Sequence, residues 1–130
     1  MTGTPWPHFS KEELSCHCQC GRMEMDSDFM ARLEELRVAY GKPMKLSSAY
    51  RCPTHNAKTS STGTMGPHTT GKAVDIAVSG AEAYKLLVLA LQHGFNGIGI
   101  SQKGSHSTRF IHIDTLPNDP KHSRPALWSY

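Results

Sequence analysis

The chain has no long hydrophobic run. Its longest apolar stretch, LLVLAL from Leu86 to Leu91, is far too short to cross a bilayer, so no membrane span is expected. Aromatic residues make up only 8% of the 130 residues against 38% hydrophobic residues in all, the composition of a soluble protein with one modest core, and this length leaves room for a single domain, residues 1–130. The start, MTGTPWPHF, lacks both the charged beginning and the apolar stretch of a secretory signal. The chain is therefore expected to be made in the cytoplasm and not to leave it unaided by general secretion. A net charge of +3, with no stripe of Lys and Arg interleaved with aromatics, excludes a nucleic-acid partner and mildly favours an acidic polymer. The helical zinc motif with two histidines one turn apart is also missing.

What is present begins with helix signals. Ser10 followed by Glu13 is a capping box, which predicts a short helix from Lys11 that stops before the first cysteines. Asp26 is placed as the N-cap of a longer helix whose apolar positions Phe29, Leu33, Leu36 and Tyr40 recur on one face; Gly41 and Pro43 end it. Ser79 with Glu82 reads as a second capping box. It opens a helix from Gly80 to His93 that carries Tyr84, Leu87 and Leu91, stops at Gly94, and is expected to be the more deeply buried of the two. Strands are read at Met44 to Ser48, in AVDIAV, at Gly97 to Ser101 and at Arg109 to Thr115, with Gln102, Lys103 and His106 in the loop between the last two. The stretch from Thr59 to Gly66, rich in Ser, Thr and Gly, reads as a loop rim. The tail, ending in Trp128 and Tyr130, is expected to pack on the body rather than to bind a ligand. No apolar helix face is left over once one core is built, which predicts a monomer.

Three residues then stand out. Asp75 lies seven positions after His68, a spacing that Gly66, Pro67 and Gly71 keep from being helical. Alternation in AVDIAV sends Val74, Ile76 and Val78 to one face and Asp75 to the other; in RFIHID it sends Ile111 and Ile113 inward and Phe110, His112 and Asp114 to the opposite side. Paired side by side, the two strands bring Asp75 to His112, with His68 arriving from the preceding loop. Two neutral imidazoles and one carboxylate half-neutralise a divalent zinc and leave a fourth position for water, the layout of a hydrolase site. A lone His or Asp on a strand is more often a solvated surface group, and His8, His93 and His122 are read that way.

The pattern H-x-x-G-x-A-x-D followed by F-I-H-I-D resembles the zinc D-Ala-D-Ala carboxypeptidase family, which shares its fold with the hedgehog signalling domain. The likeness runs from FSKEELSCHCQCG through SAYRCPTHN and HTTGKAVDI to GIGISQKG and RFIHID, and is closest to short phage and prophage members of the endolysin type. It implies an α+β fold with helices packed on one face of a mainly antiparallel sheet. It implies zinc on His68, Asp75 and His112, and Arg51 gripping a carboxylate or carbonyl of the substrate with its planar guanidinium fork. The substrate would be a peptidoglycan stem peptide, cut by a carboxypeptidase or an endopeptidase at the bacterial cell wall. A phage lysis protein of this kind would depend on a holin.

The sequence departs from the family in two places. Arg109 stands three before His112, where better-known members place an acidic general base, and an arginine cannot accept a proton at neutral pH. His106 and Asp114 are the substitutes on offer, with Gln102 able only to orient a water or contact substrate. Gly66 stands where many members have a serine; Thr64, Thr69 or Thr70 would have to replace its contact. These departures keep a second reading open, a non-catalytic zinc module that binds cell wall or belongs to a phage particle, and a third, a hedgehog-like interaction domain. Separately, Cys16, Cys18 and Cys20 alternate, which on an extended segment points their thiols one way, and Cys52 follows Arg51. A structural zinc completed by Cys52 or His17 and a disulfide to Cys52 are the chemical options, although the two-residue gap of zinc knuckles is missing; reduced buried thiols are the default for a cytoplasmic product.

Overall fold

Local signals set the helix ends. The computed structural model describes residues 5–18, 20–60 and 63–130, without the side chain of Thr64. In α1 (Lys11–Leu14) both halves of the Ser10/Glu13 capping box form, and α2 (Ser27–Tyr40) starts where the Asp26 carboxylate accepts the Phe29 amide and ends at Gly41, whose positive φ of 74° closes the helix. The turn α3 (Pro53–Thr59) begins on Pro53, whose fixed φ suits the first helical position. A helix from Gly80 to Gln92, α4, completes the set among the described residues.

Among the described residues five strands, β1 (Leu46–Ser48), β2 (Ala73–Ile76), β3 (Gly97–Ser101), β4 (Phe110–Asp114) and β5 (Ala126–Ser129), form one sheet in the order β1-β2-β4-β3-β5. The first three pairings are antiparallel and β3 with β5 is parallel, so the α+β fold has a mixed sheet. Alternation along β2 and β4 turns Val74, Ile76, Ile111 and Ile113 to a core shared with Phe9, Leu14, Phe29, Met30, Leu33, Leu36 and Leu86. Phe29 and Phe95 meet edge-on there, 5.8 Å between ring centroids. Helices α2 and α4 cover this face of the sheet, and the opposite face of β2 and β4 carries Asp75, His112 and Asp114 beside Ala73 and Phe110. Among the described residues no helix is long and apolar enough to cross a membrane.

Several expectations need correction. Ser79 is the N-cap of α4 but makes no capping bond; its hydroxyl pairs with His106 Nδ1 at 3.1 Å, and Glu82 instead takes the Tyr40 hydroxyl and the Lys42 ammonium. Nor is α4 the more buried helix. It buries only Ala83, Leu86 and Ala90, whereas Tyr84 and Leu91 are 73% and 58% exposed. With Val88 and Leu127 also exposed, an apolar strip is left over on α4 and β5, contrary to the expectation of none. The tail does pack on the body, but as the strand β5, which the proline-rich composition had hidden.

Candidate metal centre

Strand pairing builds the centre. The β2–β4 register sets Asp75 directly opposite His112, and both face away from the hydrophobic core. His68 arrives on a 3-10 turn, Pro67–Thr70, started by Pro67 and closed by Gly71 at a φ of 74°. All three side chains are buried, and one ligand atom from each lies within 4.8 Å of the others. His68 Nε2 and His112 Nδ1 stand 3.2 and 3.1 Å from the same oxygen, Asp75 Oδ1, and the two rings meet edge-on at 5.1 Å.

The far sides of both rings decide their protonation. His68 Nδ1 lies 2.7 Å from the Ala49 carbonyl and His112 Nε2 lies 2.7 Å from Asp114 Oδ2. A carbonyl and a carboxylate only accept, so those nitrogens carry the protons, and in neutral rings the lone pairs of His68 Nε2 and His112 Nδ1 turn toward Asp75. Three electron-pair donors facing one another repel unless a proton or a metal ion lies between them. Two imidazoles and a carboxylate, each backed by a hydrogen-bonding partner, are the donor set of a zinc site with an open position, so these residues fit that ion.

Charge in the pocket follows the same logic. In the metal-free chain, where a proton takes the place of an ion between the rings and the carboxylate, burial works against the Asp75 carboxylate, but hydrogen bonds from His112 and His68 outweigh it and hold its pKa well below the usual carboxylate range. Burial likewise works against a charged His112, yet Asp114 and Asp75 pull its pKa upward. Arg51 comes from the loop after β1, with Nε on the Ser48 hydroxyl at 3.2 Å, one Nη on Asn56 Oδ1 at 3.2 Å, and the other Nη 3.6 Å from Asp75 Oδ2. Its guanidinium is thus aimed before any substrate arrives, and it lines a cavity of about 460 Å³ together with His68, Asp75, His112, Thr59, Ser60, Pro67, Phe110, Trp128 and Tyr130.

A model of the peptidase M15 family matches residues 7–114. The chain belongs to that family. M15 members are peptidases, and the match spans α1 through β4, including all three converging residues. No match to the chain was found among curated proteins or among solved structures.

Within this M15 chain the candidate bases fall away from the cavity. Asp114 is fully buried behind His112, where it also accepts Arg124 Nε at 2.9 Å, an Arg124 Nη at 2.7 Å and the Leu116 amide at 3.3 Å. It orients the ring and cannot reach a water on the other side of it. His106 is exposed on a 3-10 turn and bonded to Ser79 at the start of α4. Gln102 spends its amide on the carbonyls of Val78, Ser101 and Phe110, and neither it nor His106 lines the cavity. Arg109 points to the α4 side of the sheet and holds the Gly104 carbonyl. Thr69 and Thr70 are turned to the carbonyls of Gly66 and Pro67, so neither replaces the missing serine contact; Thr64 lies outside the described side chains. Of the Thr59 to Gly66 stretch, Thr59 and Ser60 border the cavity, and Ser61 and Thr62 lie outside the described residues.

Sequence reasoning missed Arg124, Trp128 and Tyr130 as site residues. The signal was alternation in ALWSY: Leu127 and Ser129 are exposed while Trp128 and Tyr130 line the cavity. Trp128 lies 5.1 Å from the His112 ring, centroid to centroid, and the Arg124 guanidinium lies over the Trp128 ring at 5.3 Å. Two glycines of β3 make room for this layer. A Cβ on Gly97 would sit 2.0 Å from Asp114 Oδ1, and one on Gly99 would sit 2.5 Å from Trp128 Nε1. Gly99→Ala is expected to push Trp128 off His112, to lower stability by about 1–3 kcal/mol as an overpacking change, and to alter tryptophan emission; thermal unfolding and fluorescence on the same sample check both, and an unchanged emission spectrum would refute the displacement.

The four cysteines also converge, with sulfurs within 4.8 Å of one another and all of them free. They do so on a closed loop, where the Cys16 amide meets the Arg22 carbonyl at 2.9 Å, rather than on the extended segment expected from their alternation. The His55 amide hydrogen bond outweighs burial at Cys52 and, with bonds from neighbouring thiols, brings its pKa down to about 7.

Proposed function

We propose that this M15 chain is a zinc peptidase that hydrolyses peptide bonds in peptidoglycan stem peptides. The observation that carries the reading is the pair of imidazole lone pairs fixed on Asp75 at the floor of an open cavity. A zinc ion held there would supply an acidified water and an electrophile for the scissile carbonyl.

The chain's own residues would do the rest. Ala49 and Asp114 keep both imidazoles in the tautomer that faces the centre. Arg51, anchored by Ser48 and Asn56, presents donors suited to a substrate carboxylate or carbonyl at the cavity wall. Tyr130, half exposed but with its phenol pKa pushed up by partial burial, offers a further donor to a carbonyl oxygen in the same cavity. Trp128 and Phe110 give apolar walls that limit water. Proton removal from the attacking water belongs to a group that this set does not contain, because among the described residues the cavity lining holds no carboxylate besides Asp75.

That last observation favours a second reading, a zinc-containing module that binds wall peptides without cutting them. One experiment separates the two. Zinc-loaded protein is incubated with purified peptidoglycan from several wall types and the products are identified by mass spectrometry. A new peptide end that is absent with His68→Ala supports the peptidase; cleavage that persists in His68→Ala overturns the metal mechanism. Intact stem peptides with retained binding to the wall would establish the module instead.

A further inference from the structure

The cysteine cluster lies outside the cavity and has no part in the chemistry above. Cys16 Sγ and Cys18 Sγ are 3.3 Å apart, and Cys18 Sγ and Cys52 Sγ 3.5 Å. A disulfide would draw two sulfurs to about 2.05 Å. Thiolates placed tetrahedrally at about 2.3 Å from one ion stand roughly 3.8 Å apart, close to what is seen. Backbone amides also point at the sulfurs: Cys52 N–H donates to Cys16 Sγ at 3.3 Å, the kind of contact that steadies thiolate charge around a metal.

The surroundings argue in the same direction. The loop closed between Cys16 and Arg22 has no helix or strand of its own among its described residues, and the apolar cluster behind it consists of Cys16, Tyr50 and Cys52 with Met25 at its edge. So little buried apolar surface is a poor match for the entropy lost in ordering such a segment, and a metal ion is the usual substitute in small loop-rich units. We propose that Cys16, Cys18, Cys20 and Cys52 hold a structural zinc ion, separate from the His68–Asp75–His112 centre, that ties the Cys16–Arg22 loop to the turn carrying Arg51.

The tie is short. Cys52 is bonded to Arg51 along the chain, and the Arg51 amide meets the His68 carbonyl at 3.1 Å, so the second ion fixes the backbone from which the guanidinium reaches Asp75. Four soft thiolates in a tetrahedron select zinc, or else a lone iron or an iron–sulfur cluster, over hard cations. The assignment does not depend on the chain being a peptidase.

The test uses the full chain purified without reductant from zinc-supplemented medium. Elemental analysis should find two zinc ions per chain, one in His68→Ala and one in Cys18→Ser. Replacement by cobalt should give a thiolate-to-metal charge-transfer band in the near ultraviolet that survives in His68→Ala and disappears in Cys18→Ser. The His68→Ala arm keeps the test decisive if the cysteine variant fails to fold. Iron in place of zinc, a cysteine-linked peptide pair in a non-reduced digest, or no thiolate band in folded His68→Ala would each overturn the proposal.

Discussion

Asp75→Asn should remove zinc from the centre while leaving the chain folded, and hydrolysis should fall by about 10³-fold, the equivalent of several kcal/mol of lost electrophilic and nucleophilic activation. Asp75 is the only anion among the three ligand residues, so its loss leaves two neutral imidazoles facing a divalent ion. The fold should survive because the amide has nearly the same shape, and its N–H group can satisfy the lone pair on His68 Nε2 that now stands 3.2 Å from Oδ1. Zinc content should drop by one ion per chain. An Asp75→Asn protein that retained its metal and cut peptidoglycan at the original rate would show that the centre is not where the chemistry occurs.

The second large effect is expected at Arg124. Its guanidinium forms two bonds to the fully buried Asp114, and Arg124→Met would leave that carboxylate charged with only His112 and the Leu116 amide as partners. Breaking a buried pair from one side costs about 3–5 kcal/mol, roughly a 10–20 °C fall in the thermal midpoint for a chain of this size. Loosening the carboxylate behind His112 should also lower metal affinity or activity by about 10–100-fold, the usual effect of losing an outer partner. The two readouts distinguish support of the ring from plain packing. A destabilised variant with full metal affinity would reduce Arg124 to a structural residue.

The same contact contributes to the acid limb of stability. Burial raises the Asp114 pKa, but hydrogen bonds from His112 and Arg124 prevail and bring it to about 2, below the roughly 3.9 of an unfolded aspartate. A depressed carboxylate stabilises the fold fully above its unfolded value, and that contribution drains away as pH falls from about 4 toward 2. In Arg124→Met the folded pKa moves back up, so acid unfolding should begin at higher pH. An acid midpoint indistinguishable from the parent chain would contradict this assignment.

Much of the fold was legible because it is written locally. Ser10, Glu13, Asp26 and Gly41 act within one helical turn of themselves, and the alternation in AVDI and FIHID sorts core from site without knowledge of any neighbour. The pairing of Asp75 with His112 followed from that alternation once the two strands were set side by side. The errors fall where partners lie far apart in sequence. Nothing near Ser79 announces that His106 will take its hydroxyl in place of Glu82, and nothing near Asp114 announces Arg124 on a later segment. Asp114 shares a strand face with His112, so alternation alone makes it a candidate base; only the arginine behind it shows that the carboxylate faces inward. Trp128 and Tyr130 were hidden by a parallel pairing that no hairpin turn signals. In α4, Tyr84 and Leu91 obey helical spacing yet stay exposed, because the sheet meets the helix along the small side chains Ala83 and Ala90.

The place of β5 in the chain has a consequence for how the protein is made. Every proposed ligand of the centre has been translated by His112, but Arg124, Trp128 and Tyr130 emerge later, and the strand that carries them cannot dock until β3 and β4 are in place. A nascent polypeptide therefore owns its metal-binding groups before it owns the aromatic wall beside them and the cation that steadies them. On the peptidase reading, the cavity gains its aromatic wall and His112 its Arg124-backed partner only once this later segment has docked.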